Sequence, residues 1–405
     1  MAAHAPPGRE ENDRKKRGKS SGKVADFRYK RPERSDKKER AKAKSSPAST
    51  AKRQSGKSSR GKNSPKWSNS RQAYAALDLG TNNCRLLIAR PSGEHFTVID
   101  AFSRVVKLGE GLAANGRLSD AAMERTLGAL KVCAEKLRRR RVHLARSVAT
   151  EACRRAENGP EFIARVREET GIALDIISAE EEARLAVLGC HILLDEGAGP
   201  AVIFDIGGGS TELVLIEPGG PVPRILDWMS VPFGVVSLTD SVRAPDGTAD
   251  GRAARYAEMR RMVSDSFAPF ARRIAPIGKQ SERIRLLGTS GTVTTLASLH
   301  LELPHYDRKA VDGLIVPSEA MRAISEKLAT MSRGERQLLP CIGDDRADLV
   351  VAGCAILELI LDIWPAPKLG VADRGIREGI LRGLIAADAM GEQHKADLQR
   401  SRVEA

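Results

Sequence analysis

An α/β protein of two similar domains facing each other across a cleft is what this sequence encodes, with a basic segment ahead of them. An internal repeat is the first sign. Asp205-Ile206-Gly207-Gly208-Gly209-Ser210-Thr211-Glu212 stands between the apolar runs 201–204 and 213–216. Asp78-Leu79-Gly80-Thr81-Asn82-Asn83 stands between 74–77 and 86–89. Each copy reads as a strand, a turn and a second strand. The second sign is order: each copy opens a series of the β-β-β-α-β-α type, so the chain holds two halves of one design. The third is charge. The chain of 405 residues has 66 basic and 52 acidic residues, but residues 1–72 alone hold 23 and 7 of them. The remaining body is nearly neutral, with 43 and 45. The net +14 therefore describes the N-terminal segment and not the folded part.

Residues 1–72 are rich in Lys, Arg, Ser, Gly and Pro, and only Val24, Phe27, Tyr29 and Trp67 add appreciable apolar bulk. Such a segment cannot offset its ordering entropy by burial, so a disordered basic tail is expected. Its charge suits loose contact with polyanions such as RNA or polyphosphate, or simply a solubilising extension. It contains no RNA-binding module, so base-specific reading is not expected.

The first domain is placed at 73–199. Strands are read at 74–79, 85–90 and 95–102, with Pro91-Ser92-Gly93 turning the second into the third. Residues 109–118 read as a loop. Ser119 caps a helix over 120–139, whose Met123, Leu127, Leu130, Val132 and Leu137 form a helical stripe. A strand follows at 143–149, then helices from about 151 and over 160–169, separated by Asn158-Gly159-Pro160. After a strand at 174–177, Ser178 starts a helix to about 192, with Glu181 placed for a capping box.

The second domain is placed at 200–388. Its strands are read at 201–206, 212–217 and 222–229, and Pro232-Phe233-Gly234 turns into a short helix. A longer helix covers 250–275. A strand at 285–287 runs into Gly288-Thr289-Ser290-Gly291. Helices follow near 293–300, 318–331, 334–339 and 346–363, then a strand at 369–372 and a helix at 376–388. That last helix is allowed to pack back on the first domain, and 389–405 is expected to fray.

Composition closes off several function classes. Apolar residues make up 41% and aromatic residues 4%, so the cores are built from Leu, Ile, Val and Ala. The six cysteines, Cys84, Cys133, Cys153, Cys190, Cys341 and Cys354, form no CxxC and suit neither zinc nor a disulfide framework. They read as reduced core thiols. The seven histidines show no HxH or HExxH spacing. No stretch approaches 18 apolar residues, so no membrane span is expected. The N-terminus lacks an apolar signal region. A cytoplasmic location follows as the expectation.

The chemistry gathers at the two turns. No side chain obstructs Gly207, Gly208 and Gly209, so their N–H groups can close around an anion. Ser210 and Thr211 add hydroxyls. Asp205, at the strand end, is placed to hold a hydrated Mg²⁺ near that anion. Gly80, Thr81, Asn82 and Asn83 make the matching cradle in the first half. Gly288, Thr289 and Ser290 are either an ordinary turn or a backbone contact to the same substrate. Glu180 to Glu182 are either a solvated helix start or a functional cluster. The residues alone do not choose between Arg154 and the equally basic Arg155.

Asp78 to Asn82, Ile177-Ser178-Ala179-Glu180-Glu181-Glu182-Ala183-Arg184-Leu185, Asp205 to Glu212 and Gly288 to Thr292 together resemble the exopolyphosphatase and guanosine pentaphosphate phosphatase (Ppx/GppA) family. That family belongs to the actin, sugar kinase and Hsp70 superfamily, so the resemblance implies two actin-like (ribonuclease H-like) domains. It covers about 74–388. It implies that Glu182 is the catalytic glutamate, that Arg154 binds phosphate, and that Asp205 and Glu212 orient metal or water, with Asp78 in the first phosphate turn. Asp373-Arg374-Gly375-Ile376-Arg377-Glu378-Gly379 is similar to the strand-to-helix turn that closes the two-domain core. Longer members carry a C-terminal helical module of HD type, and this chain is expected to lack it.

The resemblance implies Mg²⁺-dependent release of terminal phosphate from inorganic polyphosphate, with Mn²⁺ also accepted by such ligands. Three readings stay open beside it: a 5′-phosphohydrolase of guanosine pentaphosphate (pppGpp), an actin-type kinase or ATP-driven switch, and a non-catalytic polyphosphate or RNA binder. Oligomeric state is left open, a homodimer included.

Overall fold

The computed structural model describes residues 25–26 and 72–403, apart from Glu94, Glu196, Ala198, 220–221, 243–246 and 281–283. The disorder expected of the basic segment lies outside the described residues, except at Ala25–Asp26, which form a short strand.

Two six-stranded mixed sheets carry the molecule. The first contains β1 (Ala25–Asp26), β2 (Ala73–Leu79), β3 (Asn83–Ser92), β4 (His95–Val105), β5 (Val142–Ala149) and β6 (Leu174–Ile176). Its order is β1-β5-β2-β3-β4, with β6 also on β5. The second contains β7 (Ala201–Ile206), β8 (Thr211–Glu217), β9 (Arg224–Val231), β10 (Arg285–Thr289), β11 (Ile315–Pro317) and β12 (Lys368–Ala372), in the order β11-β12-β10-β7-β8-β9. Each sheet pairs an antiparallel meander with parallel strands. In the first, β2-β3-β4 is the meander and β2, β5 and β6 are parallel. In the second, β7-β8-β9 is the meander and β7, β10 and β12 are parallel. The strands β2 and β7 are buried along nearly their whole length, which is why they read as unbroken apolar runs.

The helices are α1 (Leu112–Asn115), α2 (Asp120–Arg139), α3 (Glu151–Arg155), α4 (Gly159–Thr170), α5 (Ala179–Cys190), α6 (Val235–Ser241), α7 (Ala249–Gln280), α8 (Gly291–His300), α9 (Arg308–Val311), α10 (Ser318–Thr330), α11 (Arg333–Gln337), α12 (Leu349–Ile363) and α13 (Ile376–Val403). α12 is apolar on almost every face and forms the centre of the larger core, with β7, β8, α7 and α10 around it.

Several elements differ from the sequence reading. The loop at 109–118 contains α1, held between Gly111 and Gly116, both left-handed. The short α9 and β11 carry too few residues to show a period. α13 runs past 388 to Val403, because the stretch after Gly391 is mostly good helix formers and meets no proline. The capping box at Ser178 is half made. Ser178 Oγ accepts from Glu181 N at 3.1 Å, but the Glu181 carboxylate turns away to Arg146 and Arg184.

α5 and α13 occupy equivalent places in the two halves, and they exchange partners. Ala183, Val187 and Cys190 of α5 pack on Ile203, Val214 and Ile216 of the second sheet. Ile380, Leu381 and Leu384 of α13 pack on Tyr74, Ala76 and Leu87 of the first. Where the helices cross, backbone meets backbone. A Cβ on Gly379 would lie 2.1 Å from Leu185 O, and one on Gly189 would lie 2.0 Å from Gly375 O. Only glycine fits at either point.

Candidate active site

Parallel strands end on a common edge, and side chains just beyond those ends converge. In the first sheet β2 leads into the turn 80–82, β5 into Thr150-Glu151, and β6 into Ser178 and α5, which carries Glu182. In the second sheet β7 leads into the turn 207–210 and β10 into Ser290 and the start of α8. These ends enclose a cavity of about 130 Å³ between the two halves.

The two turns share one geometry. Gly80 N donates to Asn83 O at 3.0 Å, and Gly207 N donates to Ser210 O at 2.9 Å. They face each other across the cavity and touch. A Cβ on Gly208 would lie 3.0 Å from Thr81 Cβ, and one on Gly209 would lie 2.6 Å from Thr81 Oγ1 and 2.8 Å from Glu151 Cγ. The glycines permit this approach and leave backbone groups at the cavity wall. Ser290 holds a left-handed φ of 144°, and its Oγ accepts from Val293 N at 3.3 Å. Gly291 and Thr292, in the first turn of α8, line the cavity beside it, where the free N–H groups of a helix start favour an anion.

Carboxylates crowd the interior. Glu182 is only 6% exposed and Glu212 only 2%. Arg154 reaches two acids at once: Nη1 donates to Glu182 Oε2 at 3.0 Å and Nη2 donates to Glu151 Oε2 at 2.5 Å. Nη1 also donates to Ile177 O at 2.9 Å. Burial raises the Glu182 carboxyl well above the usual carboxylate range, and the nearby Glu212 charge adds to it while Arg154 opposes it. Burial likewise pushes Asp205 up to about 8, helped by Glu212. Glu212 is raised by burial against hydrogen bonds from Ser210 Oγ at 2.7 Å and Ser230 Oγ at 2.9 Å. Asp78 is raised by burial against the charges of Arg85 and Arg377.

This donor set fits a hydrated divalent cation. Asp78 and Asp205 stand at equivalent strand ends on the cavity wall, and Asp78 Oδ1 is buried with no hydrogen-bond partner. Among the described residues no three His, Cys, Asp or Glu side chains converge as a direct ligand set. Mg²⁺ is commonly held through one or two carboxylates, waters and substrate phosphates, which such a site can supply.

The cavity brings together Asp78, Gly80, Thr81, Asn82, Asn83 and Glu182 of the first half. From the second half it takes Asp205, Gly207, Gly208, Gly209, Ser210, Glu212 and Ser290. Four other sequence candidates stand behind the wall. Arg154 is held by Glu182 and Glu151. Thr211 Oγ1 donates to Phe233 O at 2.7 Å, and Thr289 Oγ1 donates to Arg374 O at 2.7 Å. Gly288 is packed on the Phe204 ring, 2.6 Å from where a Cβ would sit.

Sequence reasoning missed Thr150, Glu151, Arg85 and Arg346, all on the cavity wall. For Arg85 a signal existed. Asp78 pairs across the hairpin with Arg85, and Asp205 pairs at the same register position with Glu212. Aligning the two repeats would have set a cation in one half against an acid in the other.

Among the described residues no helix is long and apolar enough to cross a membrane.

The profile of the Ppx/GppA phosphatase family matches residues 87–387, which leaves the first turn just outside the match. Exopolyphosphatase 2 of Mycobacterium tuberculosis is 33% identical over 325 residues, covering 76% of this chain and 98% of the relative. The crystal structure of the Aquifex aeolicus Ppx/GppA family member superposes with a TM-score of 0.63 at 28% identity, over 78% of this chain and 98% of that one. An exopolyphosphatase from Cytophaga hutchinsonii shares the fold at a TM-score of 0.69 and 24% identity, over 78% and 98% of the two chains. With two actin-like α/β domains, facing glycine turns and this match over most of its length, the chain belongs to the Ppx/GppA phosphatase family of phosphoanhydride hydrolases.

Proposed function

We propose that this protein releases orthophosphate from the end of inorganic polyphosphate, with Glu182 as the base that activates water. The observation that carries the reading is the placement of Glu182. Glu182 lies on the wall of a cavity that both glycine turns also line. Hydrolysis of a terminal phosphoanhydride needs cradled phosphates, balanced charge and an in-line water. Backbone groups at 80–83 and 207–210 and the start of α8 serve the cradle. Arg85 and Arg346 serve the charge, since among the described residues neither is paired with a carboxylate. Arg154 holds Glu182 in place through Nη1. A raised carboxyl is suited to take a proton from water near neutral pH, provided it is ionised when water attacks. Asp78, Asp205 and Glu212 would hold Mg²⁺ directly or through water, and Mn²⁺ would fit the same oxygens. When bound, that ion neutralises charge on the phosphates.

Polyphosphate is favoured over pppGpp because relatives matched over nearly their whole length carry the name exopolyphosphatase. Either substrate would enter the cleft by its last phosphate. Phosphate release from long-chain polyphosphate, pppGpp and ATP, measured in parallel with Mg²⁺, tests this. The expected order of kcat/KM places polyphosphate first; a higher value for pppGpp would replace the proposal with the nucleotide reading. Contact of residues 1–72 with RNA or polyphosphate concerns a segment outside the described residues, Ala25–Asp26 and Gln72 apart.

A further inference from the structure

Two loops meet beside the catalytic cavity, one from each half. In the first half, residues 106–110 hang on the first glycine turn. Val106 N and Lys107 N both donate to Asn82 O, at 2.9 and 3.1 Å, and Gly109 N donates to Thr81 O at 2.9 Å. Thr81 and Asn82 line the cavity. In the second half, residues 341–348 carry Arg346, which lines the same cavity. That loop is bent by left-handed residues, Cys341 at φ 69° and Gly343 at φ 66°, and Arg346 N donates back to Gly343 O at 3.3 Å. An ion pair joins the two loops: Lys107 Nζ lies 3.5 Å from Asp345 Oδ1, with both side chains exposed.

The backbone of Lys107 is held in an unusual state. Its φ is 48°, a left-handed value that is unfavourable for a residue with a Cβ. Neighbours enforce it from both sides. Asn82 O takes the Lys107 N–H, and Arg125 of α2 donates from Nη2 to Lys107 O at 3.3 Å and from Nε to Val106 O at 3.1 Å. Conformations over-determined in this way cluster at ligand clamps. The main chain is therefore fixed against the phosphate turn, while the ammonium sits at the end of a flexible stem. Asp345 supplies that ammonium with anionic oxygens, the kind of acceptor that a phosphate would also supply.

We propose that Lys107 binds a phosphate of the substrate behind the terminal one, and that Asp345 occupies its ammonium until the phosphate chain displaces it. The proposal rests on the polyphosphate reading of the cleft. A chain whose last phosphate lies between the glycine turns must continue outward past the rim, where the Lys107 and Asp345 side chains reach solvent. Opening the pair has two effects. It frees a cation beside the first turn, and it moves a carboxylate away from a polyanion that it would repel. An exposed ion pair is weak, so a multiply charged chain can replace it. Lys107 then sets affinity for the chain, and Asp345 acts as an intramolecular competitor for the same ammonium.

Steady-state phosphate release from long-chain polyphosphate with Mg²⁺, by single and double variants of the full-length protein, tests this. Lys107→Gln should raise KM by about 10-fold with kcat within about twofold, because a contact made equally in ground and transition states moves KM alone. Lys107→Arg, which keeps the charge, should hold KM within about threefold of the wild type. Asp345→Asn should lower KM by up to about fivefold, the worth of an exposed pair. The same substitution in the Lys107→Gln background should change nothing. An effect of Asp345→Asn that persists without Lys107 would mean that the acid repels substrate directly, and would overturn the competition. Unchanged KM in Lys107→Gln, or a loss confined to kcat, would overturn the contact. Failure of the polyphosphate reading shows in the wild type, as no release from polyphosphate, and takes this proposal with it. Failure of this proposal alone leaves wild-type turnover intact and shows only in the variants.

Discussion

At Asp205, burial and the neighbouring Glu212 charge both oppose ionisation, and the carboxyl is held at about 8 against a usual value of 3.8. The folded protein therefore binds this proton more tightly than the unfolded chain does. The associated stability is present in full below about 4 and is lost as pH rises through about 8. Without divalent cations, the urea midpoint should fall between pH 5.5 and pH 8. Asp205→Asn should raise the midpoint at pH 8, through a stability gain on the order of a few kcal/mol, and flatten the slope. An unchanged slope would mean that Asp205 ionises freely. Glu182 has the opposite consequence for catalysis: its base form is needed, so kcat should fall as pH drops through its raised value. Arg85 makes a third test at this scale. Loss of a charged contact to phosphate is worth roughly 1.5–3 kcal/mol, so Arg85→Ala should raise KM by about 10- to 100-fold. Unchanged steady-state kinetics would remove Arg85 from the substrate site. Glycines and acids of the turns were legible because the same strand–turn–strand motif occurs twice in the sequence. Arg346 was not, because a lone arginine on a loop reads as surface until the fold brings it to the cavity; Arg85 shows only when the two repeats are aligned.

The crossing of α5 and α13 fixes the two halves at the scale of elements. It depends on glycines whose missing Cβ atoms leave room for a carbonyl. Gly379→Ala should destabilise the protein by about 1–3 kcal/mol through overpacking against Leu185 O. Gly383, one turn further along α13, has nothing within 4 Å of its Cβ position. Gly383→Ala should stabilise by up to about 1 kcal/mol, because alanine is the better helix former. Denaturant midpoints of the two variants check the pair; equal effects would show that the crossing tolerates a methyl group. Long elements such as α2, α5 and α12 could be read from sequence because their apolar faces or caps repeat over several turns. α1, α9 and β11 could not, being set by tertiary contact. The end of α13 also escaped, since polar helix formers carry no stop signal, and α7 runs on through Pro276 and Gly278, where the sequence signals a stop.

For the whole molecule, the repeat in the sequence foretold the repeat in the fold. Asp78 and Asp205 open equivalent turns at equivalent strand ends, and the parallel-strand ends of both halves meet at one cavity. The sequence reading allowed α13 to pack on the first domain; that α5 packs on the second sheet was beyond it, because its apolar face would suit either sheet. That architecture puts Glu182, from the first half, against a cradle built by both halves. Turnover of long-chain polyphosphate by Glu182→Gln, with binding measured on the same preparation, is the most direct test. A general base contributes typically ~10²–10⁴-fold, so kcat should fall by at least ~100-fold while affinity for polyphosphate stays within about threefold of the wild type. Retained turnover at wild-type affinity would contradict Glu182 as the residue that activates water.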